Sequence, residues 1–127
     1  PPESVHALDL GGLRQPGIRF WTGWTPQPGG EALVATAALK RLDGVHAELK
    51  SMRTAAALRG QGIAARMLAH VLDEARARGY LRLSLETGSQ AFFAPARTLY
   101  AKHGFEDCGP FGAYGPDPYS HFVTRLL

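Results

Sequence analysis

A single cysteine, Cys108, stands among the 127 residues, so no intrachain disulfide can hold the fold together. That suits a reducing cytoplasm. No helix start or neighbouring base activates the thiol, and Cys108 reads as a small strand residue. No apolar run approaches the roughly 18 residues that span a bilayer, and no secretory signal pattern opens the chain. Dense basic runs are missing too: fourteen Lys and Arg stand against eleven Asp and Glu, a formal charge of +3. That balance fits an anionic ligand and gives no sign of nucleic acid. The five histidines show neither H-E-x-x-H nor paired Cys/His spacing, so no metal site is expected. What is present is an ordinary globular composition, 45% hydrophobic and 20% charged, at a length that suits one domain, 1–127. The chain opens on Pro1-Pro2 without a methionine, so this domain is expected to be incomplete at its N-terminus.

Residues 1–17, rich in Pro and Gly, have no clear period and read as loop with at most one helical turn. "IRFWTGW" (18–24) is strand-like, with aromatic and β-branched residues, and "TPQPGG" (25–30) turns the chain. The alanines of "EALVATAALKRL" (31–42) suit a helix equally well. Asp43-Gly44 decides for a strand, because Asp-Gly between two strand candidates is a strong hairpin signal. Residues 31–42 and 45–54 are therefore read as an antiparallel pair. From Gly62 onward Ile63, Met67, Leu68, Val71, Leu72 and Ala75 mark one helix face, and Gly79 closes it as a left-handed cap. "LRLSLE" (81–86) alternates with period two, a strand. A second helix runs from about Ala91 to Lys102, with Pro95 tolerated near its first turn and Gly104 ending it. Its apolar face is expected to carry Phe92, Ala96, Leu99 and Tyr100. "FEDCGPF" and "YSHFVTRLL" close the chain as strands around a Pro/Gly loop. The fold class is α/β (α+β), with one mixed sheet and two helices.

Residues 58–68 read "LRGQGIAARML". A glycine inside a helix costs about 1 kcal/mol relative to alanine, so Gly60 and Gly62 need a reason. A strand leading through a glycine loop into a helix is an anion site: the first helical N–H groups lack internal partners and the dipole favours negative charge. Shaping the turn is the simpler role. "GQGIAA" also satisfies G-x-G-x-x-G/A, with Glu86 at a strand end 24 residues beyond Gly62. Against a dinucleotide-binding oxidoreductase, "HAELKSMRT" (46–54) carries Glu48, Lys50 and Arg53, whereas the first strand of a doubly wound sheet is buried on both faces. No room remains after the second helix for further βαβ units. The Walker pattern fails, since no Lys-Ser/Thr follows the glycines.

The loop also fits R-x-x-G-x-A through Arg59, Gly62 and Ala64, and "ARTLYAKHGF" (96–105) fits A-x-x-L-Y-x-x-x-G-F. Together, in this order, the two motifs resemble those of the GNAT superfamily of N-acetyltransferases, over about Ile18 to Leu127. The resemblance implies a mostly antiparallel sheet whose parallel strands 45–54 and 81–86 splay apart around acetyl-CoA. It places the pantetheine arm along the backbone of Met52, Arg53 and Thr54. The pyrophosphate falls to the N–H groups of Arg59, Gly60, Gln61, Gly62, Ile63 and Ala64. A homodimer is compatible with it. Two departures stand out. Many members carry an asparagine where this chain has Phe93, seven residues before Tyr100. The strand and helix that usually precede the segment matched by Ile18–Trp24 are not evident.

Acetyl transfer to an amine needs the amine neutral, and presenting a lysine-like amine so at pH 7 costs about 4.6 kcal/mol. The resemblance makes Glu48, eleven residues before Arg59, the first candidate for the base; a surface glutamate is the alternative. Tyr100 and the cofactor meet in the same motif, where the tyrosine protonates the departing thiolate. Glu86 is an alternative base, and His46 shares a strand face with Glu48. The loop "GPFGAYGPDPYS" (109–120) is the natural substrate wall, with Tyr114, Asp117 and Tyr119 either reading an amine or ordering the turn. Trp21 and Trp24 read as core or interface. The expected function is direct transfer of acetyl from acetyl-CoA to a primary amine on a small molecule, in the cytoplasm. A non-catalytic acyl-CoA-binding module is the alternative from a different class.

Overall fold

The computed structural model describes residues 17–55 and 62–127. The chain first builds antiparallel hairpins. β1 (Ile18–Gln27) pairs with β2 (Gly30–Arg41), so the strand runs three residues past the Trp24 expected from its aromatics. Pro26 stops nothing, because β1 is the outermost strand among the described residues and a missing N–H there breaks no inner ladder. Pro28-Gly29 makes the turn, with Gly29 at φ 86, the residue order of a type II turn. β2 then pairs with β3 (His46–Thr54). Asp43 organises that corner: its Oδ1 accepts the N–H groups of Val45 and His46, both at 2.8 Å, and these bonds lower its pKa.

α1 (Ile63–Ala77) crosses over to β4 (Arg82–Gly88), which lies parallel to β3. The helix stripe predicted from spacing is the buried one: Met67, Leu68, Val71, Leu72 and Ala75. They pack on Ala35, Ala37, Leu39, Ala47, Leu49, Leu83 and Leu85 of the sheet. The alanines that made β2 ambiguous are small because a helix lies against them. Gly79 sits at φ 85; its N–H reaches the Arg76 carbonyl and that of Tyr80 reaches Ala75, a Schellman closure.

After a single 3-10 turn (Ala91–Phe93), α2 (Ala94–Lys102) carries Pro95 in its first turn. Gly104 and Phe105 close it the same way, bonding the carbonyls of Ala101 and Tyr100. The predicted helix thus begins as a tighter turn, and that rotates Phe92 outward to 70% exposure. Phe92 does not share the apolar face with Ala96, Leu99 and Tyr100.

Among the described residues β5 (Glu106–Asp107) and β6 (Ser120–Leu126) complete a six-stranded sheet in the order β1-β2-β3-β4-β6-β5, in which only β3 and β4 are parallel. That single parallel pair removes the doubly wound alternative. Cys108 follows β5, its N–H on the Phe122 carbonyl at 2.9 Å. Among the described residues no helix is long and apolar enough to cross a membrane.

Candidate active site

β3 and β4 are paired only from His46 opposite Arg82 to Leu49 opposite Leu85. Beyond that fork β3 continues to Thr54 and β4 to Gly88, each still paired on its outer side. The opening between them is a cavity of about 420 Å³, whose walls include Glu48, Lys50, Met52, Glu86, Phe93, Tyr100 and Tyr114. Arg53 lines it with an exposed side chain. Thr54 pairs with Ala35 and lies outside the lining.

A bulge shapes the β3 wall. Thr36 pairs with Arg53 and Ala38 with Lys50, so two residues of β3, Ser51 and Met52, oppose the single Ala37. Ser51 takes φ 54, a left-handed conformation that costs a non-glycine residue about 1–3 kcal/mol. Its carbonyl accepts the Thr36 hydroxyl at 2.9 Å, while its own buried hydroxyl has no partner among the described residues. Nothing in the sequence pattern signalled this bulge.

At the start of α1, Gly62 has φ 76 and ψ 7, with neither a capping side-chain bond nor an acidic residue in the first turn. The first N–H groups, at Ile63 and Ala64, have no capping side chain among the described residues. Among the described residues nothing lies within 4 Å of a Cβ built on Gly62, and the glycine is required by its backbone conformation. Arg59, Gly60 and Gln61 lie outside the described residues.

Of the two readings of Glu48, a base or a surface glutamate, the second does not hold: Glu48 is 2% exposed. The loop between β5 and β6 covers it. Phe111 and Tyr114 pack edge-on against Phe122, at 5.7 and 5.4 Å between ring centres, and this seats the Tyr114 hydroxyl on Glu48 Oε2 at 2.5 Å. Burial, then the bond to Glu48, pushes the Tyr114 hydroxyl far above its ordinary value. Lys50 donates to the same hydroxyl at 2.8 Å and lies 3.4 Å from Glu48 Oε2. Lys50 was missed from sequence; its only signal is that it shares a strand face with Glu48.

Tyr100 projects from α2 at 7% exposure, edge-on to Phe105 at 5.7 Å. Burial raises its pKa to about 12. Across the cavity Glu86 accepts the Ser120 hydroxyl at 2.6 Å. Phe93, in the place of the resembling family's asparagine, lays its ring over Gly88, where a Cβ would fall 2.1 Å from a ring carbon. Arg97 fastens this corner through the carbonyls of Gly88 and Gln90 at 2.7 and 3.0 Å.

The remaining candidates separate. His46 shares the face of Glu48 but turns to Ser84, Nε2 to Oγ at 2.6 Å, and Ser84 continues to Thr124 at 2.7 Å. Burial lowers the His46 pKa. Tyr119 lines the cavity, whereas Asp117 orders the turn by accepting the N–H groups of Tyr119 and Ser120. Burial raises the Cys108 thiol, the opposite of an activated nucleophile. Trp21 packs on the core and Trp24 is 54% exposed.

The described geometry has clear counterparts. The model of the Acetyltransferase (GNAT) family matches residues 4–105. The chain is 53% identical over 127 residues to the uncharacterized N-acetyltransferase YsnE of Bacillus subtilis (strain 168), covering 100% of this chain and 82% of that one. Identity to the IAA acetyltransferase of Azospirillum brasilense is 42% over 127 residues, covering 100% of this chain and 80% of that one. Among solved structures, a Klebsiella pneumoniae protein named for acyl-CoA N-acyltransferase activity superimposes with a TM-score of 0.80. It is 31% identical, and the match covers 94% of this chain and 79% of that one.

Proposed function

The chain belongs to the acetyltransferase (GNAT) family and is an acyltransferase that uses acetyl-CoA, and on that premise we propose that it moves the acetyl group directly to a primary amine on a small molecule. Glu48 is the base and Tyr100 the group that receives the departing sulfur. The observation that carries this reading is the position of Glu48: a buried carboxylate at the fork of β3 and β4, in one cavity with Tyr100.

Acetyl-CoA supplies the thioester; the residues supply position and proton traffic. Gly62, Ile63 and Ala64 present helix N–H groups to the pyrophosphate, together with Arg59, Gly60 and Gln61 of the same loop. The backbone of Met52 and Arg53, freed by the fork, holds the pantetheine arm, with Thr54 at its outer end. Glu48 would accept the first proton of the incoming ammonium, directly or through a water; as the C–N bond forms and the C–S bond breaks, the second N–H proton would pass through water to the departing thiolate. Tyr100 keeps its hydroxyl proton and directs it at the sulfur. Once amine and thioester are held together, no covalent enzyme intermediate is needed.

The test is thiol release from acetyl-CoA against a panel of polyamines, aromatic ethylamines, amino sugars and amino acids, with IAA included because of the relative's name. An amine that releases thiol with wild type and at least a hundredfold more slowly with Glu48→Gln supports the reading. Full turnover by Glu48→Gln overturns the assignment of the base, and acetyl-CoA binding without turnover of any amine overturns amine transfer.

A further inference from the structure

The geometry points to Tyr114 and Lys50 as positioning residues that clamp one oxygen of Glu48 and leave the other for the amine, an inference that rests on Glu48 being the base. Glu48 Oε2 receives the Tyr114 hydroxyl at 2.5 Å and has Lys50 Nζ at 3.4 Å, while Lys50 Nζ also donates to the Tyr114 oxygen at 2.8 Å. The three polar atoms close a triangle. Among the described residues no side chain donates to Oε1, and that oxygen is not sealed in the interior without a partner. It is the oxygen left to the cavity that Glu48 lines.

Each member comes from a place fixed by something else. Lys50 immediately precedes the bulge at Ser51. Tyr114 rides on the β5–β6 loop, its ring held by Phe111 and Phe122 and by the Lys50 ammonium at 5.3 Å from the ring centre. A carboxylate with three rotatable bonds would otherwise have several orientations in a cavity of this size; bonds from two sides select one. The other groups around Glu48 do not replace them. Lys40 is its register partner on β2 and His46 its neighbour on β3. Ser84 is its partner on β4, and Glu86 adds a second negative charge there.

The countercharge has a consequence for the substrate. With Lys50 against Glu48, an arriving ammonium meets a neutralised pair. The site therefore takes its proton and does not trap it as a tight ion pair. Removing Lys50 should strengthen ground-state binding of the amine while slowing the chemistry, a split between KM and kcat that simple loss of structure does not produce.

The experiment measures kcat, the amine KM and the pH–rate profile for wild type, Tyr114→Phe, Lys50→Met, Glu48→Gln and the double variant Glu48→Gln/Tyr114→Phe, using the fastest acceptor of the amine panel. Tyr114→Phe keeps the ring contacts, so it serves even if Lys50→Met does not fold. Expected is a fall in kcat of about tenfold for Tyr114→Phe, as for loss of one bond to a charged group. Lys50→Met lowers both kcat and the amine KM. The double variant is no slower than Glu48→Gln alone, because Tyr114 acts through Glu48. A double variant slower by the product of the two single effects overturns the clamp while leaving the base intact. A kcat in Tyr114→Phe within threefold of wild type also overturns it. A wild-type rate in Glu48→Gln overturns the base and the clamp together.

Discussion

Replacing Tyr100 by phenylalanine tests how the sulfur leaves. A buried phenol with a pKa of about 12 is protonated at pH 7 in all but roughly one molecule in 10⁵. The departing group is a thiol, and thiols of this kind titrate near 8.5. Complete proton transfer from such a phenol to such a thiolate is uphill by about 3.5 units, or about 5 kcal/mol. The hydroxyl therefore acts chiefly as a hydrogen-bond donor to developing negative charge. A bond of that kind is worth about 1.5–3 kcal/mol, which corresponds to a loss of about 10- to 150-fold in kcat. Loss of a fully transferring acid reaches further, to about 10⁴. Stability should move by less than about 1 kcal/mol, since the ring keeps its contact with Phe105 and no described residue bonds the hydroxyl. The assay is thiol release at saturating amine between pH 6 and 10, with urea unfolding of both proteins. A fall of less than threefold would refute the donor role. So would an alkaline limb below pH 10 that disappears in Tyr100→Phe, because it would mean that the group titrates far below its buried value.

The other predictions rest on the same elements. Burial penalises the Tyr100 phenolate, so the folded-state pKa lies above the unfolded value of about 10, and wild type holds its full stability below pH 10 and loses it as pH rises through 12. The whole loss is about 3 kcal/mol, about half of it by pH 11, and unfolding curves at pH 9 and 11 should show wild type losing more stability than Tyr100→Phe. Gly62→Glu places a carboxylate at the start of α1 and should abolish acetyl-CoA binding in calorimetry. Gly62→Ala meets only the strain of φ 76, about 1–2 kcal/mol, and should still bind; equal loss in both would refute an anion site. Ser51→Gly relieves the positive φ and removes a buried, unpartnered hydroxyl, so denaturant unfolding should show a gain of about 1 kcal/mol or more. Its kcat should fall, because the bulge wall becomes mobile.

Local chemistry explains which features could be read from the chain. Asp43-Gly44 set the β2–β3 hairpin through bonds spanning only two and three residues, and the stripe from Ile63 to Ala75 needed nothing beyond helical period. Gly79 announced a left-handed cap and Gly104 a helix end, and both have φ 85. Period misled where geometry changed within an element: Phe92 was read onto the helix face, but a 3-10 turn advances by a different angle and points it outward. Alternation on β3 left the exposure of Glu48 open. Polar residues at 46, 48 and 50 describe a wet face only if nothing distant covers them. The cover is Tyr114, 66 residues along the chain from Glu48, carried by a loop whose Pro and Gly suggested no burial. Ser51 belongs with Glu48 in this respect, since a serine in a strand gives no warning of a positive φ. A carboxylate buried against its pattern and a residue strained against its type both lie within four positions of the fork where β3 leaves β4. Burial of Glu48 and strain at Ser51 each work against folding, and each costs more than a surface residue in the same place would. Their coincidence at one wall of one cavity is the pattern expected where local consistency has yielded to chemistry. That is a physical reason, independent of the motif in 96–105, to look for the reaction at this wall.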